Sequence, residues 1–493
     1  MGILSSKIEH IVVLMLENRS FDSMLGKLYP KSQQFDGLNG NETNPHNGQP
    51  DVSVWGNTTI DSQSMSVPTP DPGELWVDIN MQLFGLDGKP GNQPPSMNGF
   101  VNNYVRQNEE PQTNYKPESI MHYYNPSQVP VISKLAKQFA VCDQWFASAP
   151  CQTWPNRFFL HTGTAGGYEN NSPTHPPYLM NTIFNKLNEA DKPWGIYFHD
   201  FPQTLTLTSL WPHLDHFHSF DNFKEDAKNG KLPSYSFIEP RYFPDVKLPN
   251  DQHPPHNIGM GEELIADVYN AVRNSPTWKK TLLIITYDEH GGCYDHVPPP
   301  MSVPPDNTNP QPFGFDRYGV RVPAVLVSPY IKNGTVLRAV QDGSLPHNGP
   351  PYPFDHTSII ATVRKCFNLG GSLTNRDAVA PDLEIVLNLD SPSNEGPANV
   401  TPLPYVISDT ELQAALNAPL NGFQKAMHEA ATHLPPLGLA QDAENVCASI
   451  ENHIKNLVNG TLTEVPNHKT SAEALPFIKD KLSAFFGNRL FAI

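Results

Sequence analysis

Acidic and amide side chains follow two apolar runs that have the composition of buried strands, at residues 11–16 and 282–287. These polar residues are Glu17 and Asn18 after the first run, and Asp288 and Glu289 after the second. Consecutive acids behind a buried strand are costly to desolvate unless a cation or hydrogen-bond donors satisfy them. Because carboxylate and amide oxygens are ligands for hard divalent cations, the pattern predicts a metal site. A solvated turn and a structural ion-pair network are the alternatives.

A hydroxyl and a guanidinium group stand four residues apart in Thr-Trp-Pro-Asn-Arg, residues 153–157. Pro155 suits the first turn of a helix, which places Thr153 at or near its N-cap. Backbone N–H groups and the helix dipole at that position favour a phosphate or sulfate. Arg157, one turn further on, can add a bidentate phosphate contact. An ordinary threonine N-cap is the alternative interpretation.

Histidines accompany acids in three further stretches of the sequence. The sets are Asp251 with His253 and His256, Asp295 with His290 and His296, and Asp355 with His356. Histidine titrates near neutral pH and is a common metal ligand. These residues are therefore candidates for metal ligands or for the acid that protonates a leaving group. A hydrogen-bonded structural histidine is the alternative for each of them.

The elements that must position these groups are buried strands that alternate with amphipathic helices. Apolar runs predict strands at residues 11–16, 139–141, 196–198, 235–238, 282–287 and 320–327. Helical patterns lie at residues 130–138 and 261–272. This alternation predicts an α/β fold with a mainly parallel sheet, in which reactive groups collect beyond the carboxyl ends of the strands.

Long loops and a helical C-terminal region complete the predicted organisation. The stretches 30–95 and 298–312 are rich in proline and predict irregular loops at the rim of a site. Helical patterns follow at residues 408–434, which begin at a capping box, and at 442–458 and 471–486. We expect a boundary near residue 400 between a catalytic domain, 1–400, and a helical region, 401–493. We expect the apolar stripe within residues 475–491 to pack on a core or a second subunit, rather than to contact lipid.

Composition excludes several classes of protein. The 493 residues have 33 Lys and Arg against 50 Asp and Glu, a net charge of −17, which disfavours nucleic-acid binding. No apolar stretch approaches the ~18 residues of a membrane span. The five cysteines form no CxxC pair, so neither a disulfide scaffold nor a zinc knuckle is indicated. No signal-peptide pattern is present, which predicts a protein that is cytoplasmic as synthesised, with export by a signal-less route left open.

Taken together, six motifs resemble the bacterial phosphoesterase family of phospholipases C and the related acid phosphatase. In chain order they are ENRSFD (17–22), TWPNR (153–157), DQHPP (251–255), YDEHGGCYDHVPPP (287–300), FDRYGVRVPA (315–324) and DHTS (355–358). The resemblance covers roughly residues 8–365 and is closest to a signal-less, zinc-dependent phospholipase C branch. It implies a three-layer α/β/α core of the alkaline phosphatase-like superfamily.

The resemblance implies a metal-dependent phospholipase C that cleaves phosphatidylcholine or other phospholipids to diacylglycerol and a phosphorylated head group. Such an enzyme would contact a membrane peripherally, and a homo-oligomer stays open. A broad-specificity acid phosphatase is the alternative, and a non-catalytic, metal-stabilised binding protein is a third interpretation. Zinc is the expected ion, with calcium or magnesium as alternatives.

The resemblance also implies roles for individual residues. The metal ligands would be Glu17, Asn18, Asp288, Glu289 and Thr153. Thr153 would be the nucleophile, which forms a phosphothreonine after activation by the metal or a base. His253 and His296 match histidines around the phosphate and the leaving group. A possible second metal site comprises Asp251, His256 and His356.

Overall fold

The fold is described from a computed structural model, which covers residues 2–89, 94–107, 115–172, 178–308, 310, 312–339, 352–437, 443–458 and 463–487. Its strands are β1 (His10–Leu16), β2 (Thr43–His46), β3 (Gln49–Ser53), β4 (Ala140–Cys142), β5 (Trp145–Phe146), β6 (Trp194–Phe198), β7 (Phe217–Ser219), β8 (Tyr235–Ile238), β9 (Thr281–Tyr287), β10 (Ala324–Val327), β11 (Thr335–Leu337) and β12 (Phe354–Asp355).

Its helices in the first 400 residues are α1 (Ile3–Lys7), α2 (Phe21–Leu25), α3 (Trp76–Phe84), α4 (Phe100–Arg106), α5 (Pro130–Gln138), α6 (Thr153–Thr162), α7 (Ile183–Glu189), α8 (Phe220–Lys228), α9 (Ile258–Arg273), α10 (Thr357–Phe367) and α11 (Asn375–Val379). The later helices are α12 (Asp409–Asn417), α13 (Gly422–Thr432), α14 (Ala443–Val458) and α15 (Ser471–Phe486). No helix in the described ranges is both long enough and apolar enough to cross a membrane.

Eight strands form the central sheet, in the order β11-β4-β10-β9-β1-β8-β6-β7. All neighbouring pairs are parallel except those of β10, which runs antiparallel to both β4 and β9. The central strands β1 and β9 pair along their whole length, with His10 opposite Thr281 and Leu16 opposite Tyr287. Both strands therefore end at the same edge of the sheet, and the residues that follow them emerge side by side.

Helices cover both faces of this sheet. Phe237 of β8 pairs with Ile196 of β6, so these two side chains point to the same face. His161 of α6 packs edge-on against Phe237, with ring centroids 4.5 Å apart. The next residue along β6, Tyr197, points to the opposite face, where Phe223 of α8 contacts it at 5.3 Å. The arrangement confirms the predicted three-layer α/β/α class.

Most of the predicted strands and helices are present. The prediction for residues 235–238 matches β8, and that for 130–138 matches α5. Only the last four residues of the predicted strand 320–327 form β10, because Pro323 has no N–H group for the sheet. The stretch 30–95 is less irregular than predicted, since it includes the hairpin of β2 and β3 and the helix α3. Among its described residues, the stretch 298–312 has no strand or helix.

The C-terminal region is helical, as predicted, but the expected helix at residues 408–434 is two helices. They are α12 and α13, and Pro419 lies between them. Ser408 caps α12 by accepting a hydrogen bond from Glu411 N at 3.2 Å.

The described residues of the apolar stripe lie in the main hydrophobic core, where Phe486 stacks on Phe198 with centroids 6.0 Å apart. Residues 490–491 lie outside the described ranges. The domain boundary near residue 400 stays a prediction.

Candidate active site

The candidate site begins at the paired ends of β1 and β9. Glu17 donates its backbone N–H to Asp251 O at 2.9 Å, and Asn18 donates its own to Asp288 Oδ1 at 2.9 Å. Asn18 adopts a left-handed backbone conformation, with φ 54°. A Cβ atom at Gly291 would lie 2.3 Å from Asn18 O, so the close approach of these two turns requires glycine there.

Thr153 lies at the start of α6, directly against these strand ends. Gln152 is the N-cap residue, so Thr153 occupies the first helical position rather than the cap itself. Its hydroxyl is fully buried, with Oγ1 3.3 Å from Glu17 Oε2 and 3.2 Å from Asn18 Oδ1. The structure thus brings the predicted nucleophile to two of the predicted metal ligands, at a helix N-terminus that favours anions.

The guanidinium group of Arg157 contacts the carboxylates at the strand ends. Its NH2 group donates to Glu17 Oε1 and, at 3.3 Å, to Met15 O, while its Nε lies 3.6 Å from Asp288 Oδ2. Burial opposes the charge, but Glu17 and Asp288 together raise the pKa of Arg157 above its ordinary value. The observed partners of the guanidinium are therefore acids of the site, and its contact with a phosphate stays a prediction.

The carboxylates of the site are buried with too few donors. Burial raises the pKa of Glu17 and of Glu289 well above the ordinary range. Glu289 Oε2 accepts a hydrogen bond from Gly291 N at 2.7 Å, whereas Glu289 Oε1 and Asp288 Oδ2 have no hydrogen-bond partner. Unpartnered buried carboxylate oxygens beside an amide oxygen and a hydroxyl form a donor set that fits a hard divalent cation.

The predicted acidic ligands Glu17, Asp288 and Glu289 do not form a compact cluster of ligand atoms. In the described part of the chain, three ligand atoms from His, Cys, Asp or Glu come within 4.8 Å of one another at Asp22, Asp295 and His296. Arg321 already neutralises that group, because it binds Asp22 Oδ1 at 3.0 Å and Asp295 Oδ1 at 2.9 Å. The compact group is therefore a buried ion-pair network, and the unpartnered oxygens Asp288 Oδ2 and Glu289 Oε1 do not belong to it.

His253 belongs to the site around Thr153. It is fully buried, with Nε2 3.0 Å from Asn18 Nδ2 and Nδ1 2.6 Å from Pro254 O. Since Nδ1 donates to the carbonyl group, Nε2 is the acceptor of the Asn18 amide hydrogen. Burial also lowers the pKa of His253 to about 4, which agrees with a neutral ring whose Nε2 accepts the Asn18 hydrogen bond.

His296 lies in the Arg321 network instead. Its Nδ1 is 2.6 Å from Asp22 Oδ2, and its Nε2 is 3.1 Å from Asp36 Oδ1. Burial disfavours the cation, but these two hydrogen bonds outweigh it and raise the pKa of His296 to about 9. Among the described residues, no contact joins His296 to Thr153 or to the predicted metal ligands. Its expected place at the leaving group therefore stays a prediction. Its observed partners, Asp22 and Asp36, belong to the ion-pair network of Arg321.

The residues of the possible second metal site divide between two locations. His256 Nδ1 lies 2.7 Å from Asp251 Oδ1. His356 is on another loop, where its Nε2 donates to Asp288 O at 2.6 Å and its Nδ1 accepts from Trp145 Nε1 at 3.3 Å. Because both ring nitrogens of His356 are engaged, the ring has no free lone pair for an ion. A second site from these three residues stays a prediction that these contacts do not support.

Two residues that contact the site, Glu74 and Gln152, were not predicted from the sequence. Glu74, in the stretch 30–95, accepts a hydrogen bond from the Asn18 side chain, and Gln152 donates to Glu74 at 3.0 Å. Neither residue stands next to a predicted strand or in a histidine-rich motif. The one local signal at Glu74 is an acid just before a helical run, which is common at any helix start.

A threonine hydroxyl at a helix N-terminus, set among buried oxygen donors at the carboxyl edge of a parallel sheet, is an arrangement suited to a hydrolase of phosphoric esters. The chain belongs to the phosphoesterase family, whose model matches residues 8–370. The family predicted from the motifs is thereby confirmed, and the protein is a phosphoric ester hydrolase.

Individual relatives agree with this assignment. The chain is 42% identical over 404 residues to non-specific phospholipase C1 of Arabidopsis thaliana. The aligned residues cover 79% of this chain and 73% of the relative. The chain is 27% identical over 457 residues to phospholipase C B of Mycobacterium tuberculosis (strain ATCC 25618 / H37Rv), and the aligned residues cover 80% of each chain. Among solved structures, the lipoteichoic acid synthase LtaP from Listeria monocytogenes is 14% identical with a TM-score of 0.32, over 53% of this chain and 70% of that one.

Proposed function

We propose that the protein is a metal-dependent phospholipase C that hydrolyses phosphatidylcholine, and other phospholipids, to diacylglycerol and a phosphorylated head group. The observation on which this rests is the position of Thr153 Oγ1, 3.3 Å from Glu17 Oε2 and 3.2 Å from Asn18 Oδ1. Relatives named non-specific phospholipase C support a phospholipid substrate. A bilayer substrate also requires peripheral contact of the protein with the membrane.

The predicted ligands suit one divalent cation, and we propose zinc. Glu17, Asn18, Asp288 and Glu289 would hold it, and such an ion supplies Lewis-acid stabilisation of phosphoryl charge and lowers the pKa of a hydroxyl. Asp288 Oδ2 and Glu289 Oε1 support this proposal, because neither oxygen accepts a hydrogen bond in the described protein. Without a cation, the ionised form of acids this deeply buried is costly, as the raised pKa values of Glu17 and Glu289 reflect.

The first chemical step would be attack by Thr153 Oγ1 on phosphorus. The Oγ1–P bond forms, the bond between phosphorus and the diacylglycerol oxygen breaks, and Thr153 is left as a phosphothreonine. The hydroxyl proton must leave Thr153, and one proton must reach the departing oxygen. We assign this transfer to His253, whose Nε2 lies beside the ligand Asn18 and would take up the proton once it releases the Asn18 amide hydrogen.

The second step would be hydrolysis of the phosphothreonine by water. The water oxygen bonds to phosphorus, the Oγ1–P bond breaks, one water proton returns to Thr153 Oγ1, and the phosphorylated head group leaves. The N-terminal position of Thr153 on α6 supports both steps, because the helix dipole and backbone N–H groups stabilise negative charge at that point.

The test is release of phosphocholine from phosphatidylcholine vesicles, with and without a chelator, followed by addition of zinc or of calcium. We expect chelator-sensitive release that zinc restores, and no release by Thr153→Ala. Restoration by calcium alone would overturn the choice of zinc. Cleavage of a soluble phosphomonoester without any lipid turnover would overturn the phospholipase and favour the broad-specificity phosphatase.

A further inference from the structure

Glu74 lies against the candidate site although it is outside the predicted ligand set. It precedes α3 in the stretch 30–95, and only 8% of the residue is exposed. Its Oε2 accepts a hydrogen bond from Asn18 Nδ2, and its Oε1 accepts one from Gln152 Nε2 at 3.0 Å. The two oxygens of one carboxylate therefore connect the end of β1 to the start of α6.

The contact with Glu74 determines which way the Asn18 carboxamide faces. The amide nitrogen has two hydrogens, and it lies next to two acceptors, Glu74 Oε2 and His253 Nε2. His253 Nε2 is an acceptor because its Nδ1 donates to Pro254 O. With Nδ2 engaged on this side, Asn18 Oδ1 points toward Thr153 Oγ1, 3.2 Å away. The reverse orientation would place Oδ1 against two acceptors and leave an N–H group facing the metal position.

The contact with Gln152 fixes the second oxygen of Glu74. Gln152 is the N-cap residue of α6, and its Oε1 accepts from Asn171 N at 3.0 Å. Asn171 Oδ1 in turn accepts from Trp154 N at 2.8 Å, in the first turn of the same helix. Since the Gln152 oxygen is engaged, its Nε2 must donate toward Glu74. Glu74 therefore has to offer two acceptors at once, which a carboxylate does and a carboxamide does not.

We propose that Glu74 is a positioning residue of the metal site, which holds the Asn18 carboxamide with Oδ1 toward the cation and ties it to the helix of Thr153. The proposal rests on the proposed function, because it concerns the orientation of a metal ligand. Residues that orient a ligand in this way typically contribute a factor of about 10–100 to metal affinity. Glu74 would thus act on the reaction through Asn18 rather than by contact with the substrate.

The direct test is the zinc affinity of Glu74→Gln, measured on the full chain by competition with a chromogenic chelator. Glutamine has nearly the same volume, but it replaces one acceptor with a donor. We expect the dissociation constant for zinc to rise about tenfold or more. Asp71→Asn is the matched control, because Asp71 is an acid of the same stretch that lies near His253 and has no recorded contact with Asn18. An equal loss in both variants would indicate a general effect of charge and overturn the positioning role.

A second variant separates orientation from charge. The double variant combines Glu74→Gln with Asn18→Asp. In it, the negative charge moves from position 74 to position 18. The new glutamine can then donate to the new aspartate and still accept from Gln152, so both hydrogen bonds return. In the Asn18→Asp background two carboxylates face each other until Glu74→Gln replaces one of them, so there we expect Glu74→Gln to leave the zinc affinity unchanged or to raise it. The same large loss in both backgrounds would overturn the proposal.

These measurements also separate failure of this proposal from failure of the proposed function. A wild-type chain that binds no zinc would overturn the proposed metal site. A wild-type chain that binds zinc, with Glu74→Gln equally tight, would overturn only the role of Glu74. If Glu74→Gln does not fold, the double variant decides: zinc binding at least as tight as that of Asn18→Asp alone supports the proposal, and weaker binding overturns it.

Discussion

Arg157 and Glu17 form an ion pair in which neither side chain reaches solvent. Arg157 NH2 also donates to Met15 O at 3.3 Å, within β1. The pair therefore binds the helix of the candidate nucleophile to the strand that leads into the candidate ligands. Charge balance and the relative position of the two elements both depend on this contact.

We expect Arg157→Ala to lower the free energy of unfolding by about 3–5 kcal/mol, because it leaves Glu17 buried and unpaired. Chemical denaturation of the metal-free protein measures this change. Lys280→Ala is the control, since its ion pair with Glu9 is more than half exposed on both sides and should contribute little. Similar stabilities of the two variants would contradict the structural importance of the buried pair.

Thr153→Ala should reduce phosphocholine release by at least about a thousandfold, as loss of a nucleophile does in other hydrolases. Its zinc content should stay near that of the wild type, because Thr153 is only one of several donors. Thr162→Ala at the other end of the same helix is the control, since the Thr162 hydroxyl donates a hydrogen bond to Phe158 O. Full activity of Thr153→Ala would remove Thr153 from the mechanism.

Asp288→Ala should lose both zinc and activity. It should also lose some stability, because Asp288 Oδ1 accepts hydrogen bonds from Asn18 N at 2.9 Å and from Glu289 N at 2.7 Å. Elemental analysis of the purified variant, beside the head-group assay, checks both effects. Asp390→Ala, at an exposed acid, is the control. Normal zinc content in Asp288→Ala would rule out Asp288 as a ligand.

The His296 network predicts a pH-dependent stability. The pKa of His296 is about 9 in the folded protein, against an ordinary value of 6.5, so protonation favours the folded state. This contribution is complete below about pH 6.5 and is lost as the pH rises through about 9. With a partly exposed ring, we expect it to be on the order of 2 kcal/mol.

The measurement is the free energy of unfolding of the wild type and of His296→Gln at pH 6 and pH 10. The difference between the two proteins should be larger at pH 6. Lys31 Nζ lies 2.7 Å from His296 Nε2, so protonation should turn this ammonium toward Asp36, its ion-pair partner at 3.0 Å. A difference that does not change with pH would show that the pKa of His296 is the same in the folded and unfolded protein, and would contradict the effect of the network.

The sheet and the polar residues at its edge were predictable because their signals are local. A strand that is buried on both faces requires a continuous apolar run, so β1, β8 and β9 are evident in the sequence. Polar residues directly behind such strands must share one edge of the sheet, which brought Glu17 and Asp288 together. The break at Pro419 also had a local signal, but the apolar periodicity on both sides of it suggested one continuous helix.

The position of His296 was not predictable from local pattern. His296 follows the same strand as Asp288, and nothing in the motif indicates that Asp22, Asp36 and Arg321 would surround it. Glu74 illustrates the same limit, since its two partners are 56 and 78 residues away in the chain. Buried polar networks depend on which distant loops meet, and that information is absent from hydrophobic periodicity.

The reversed direction of β10 determines which part of the chain supplies a cation to the network of Asp295. Because β10 runs opposite to its neighbours β4 and β9, the residues just before β10 lie at the edge of the sheet where β4 and β9 end. Arg321 stands three positions before β10, and there it meets Asp295, which follows β9, and the carbonyl oxygen of Asp143, which follows β4. Had this strand run parallel to β4 and β9, Arg321 would lie at the opposite rim, and the acids beyond β9 would need a positive charge from another segment. The polarity of one strand is in this sense an electrostatic property of the enzyme.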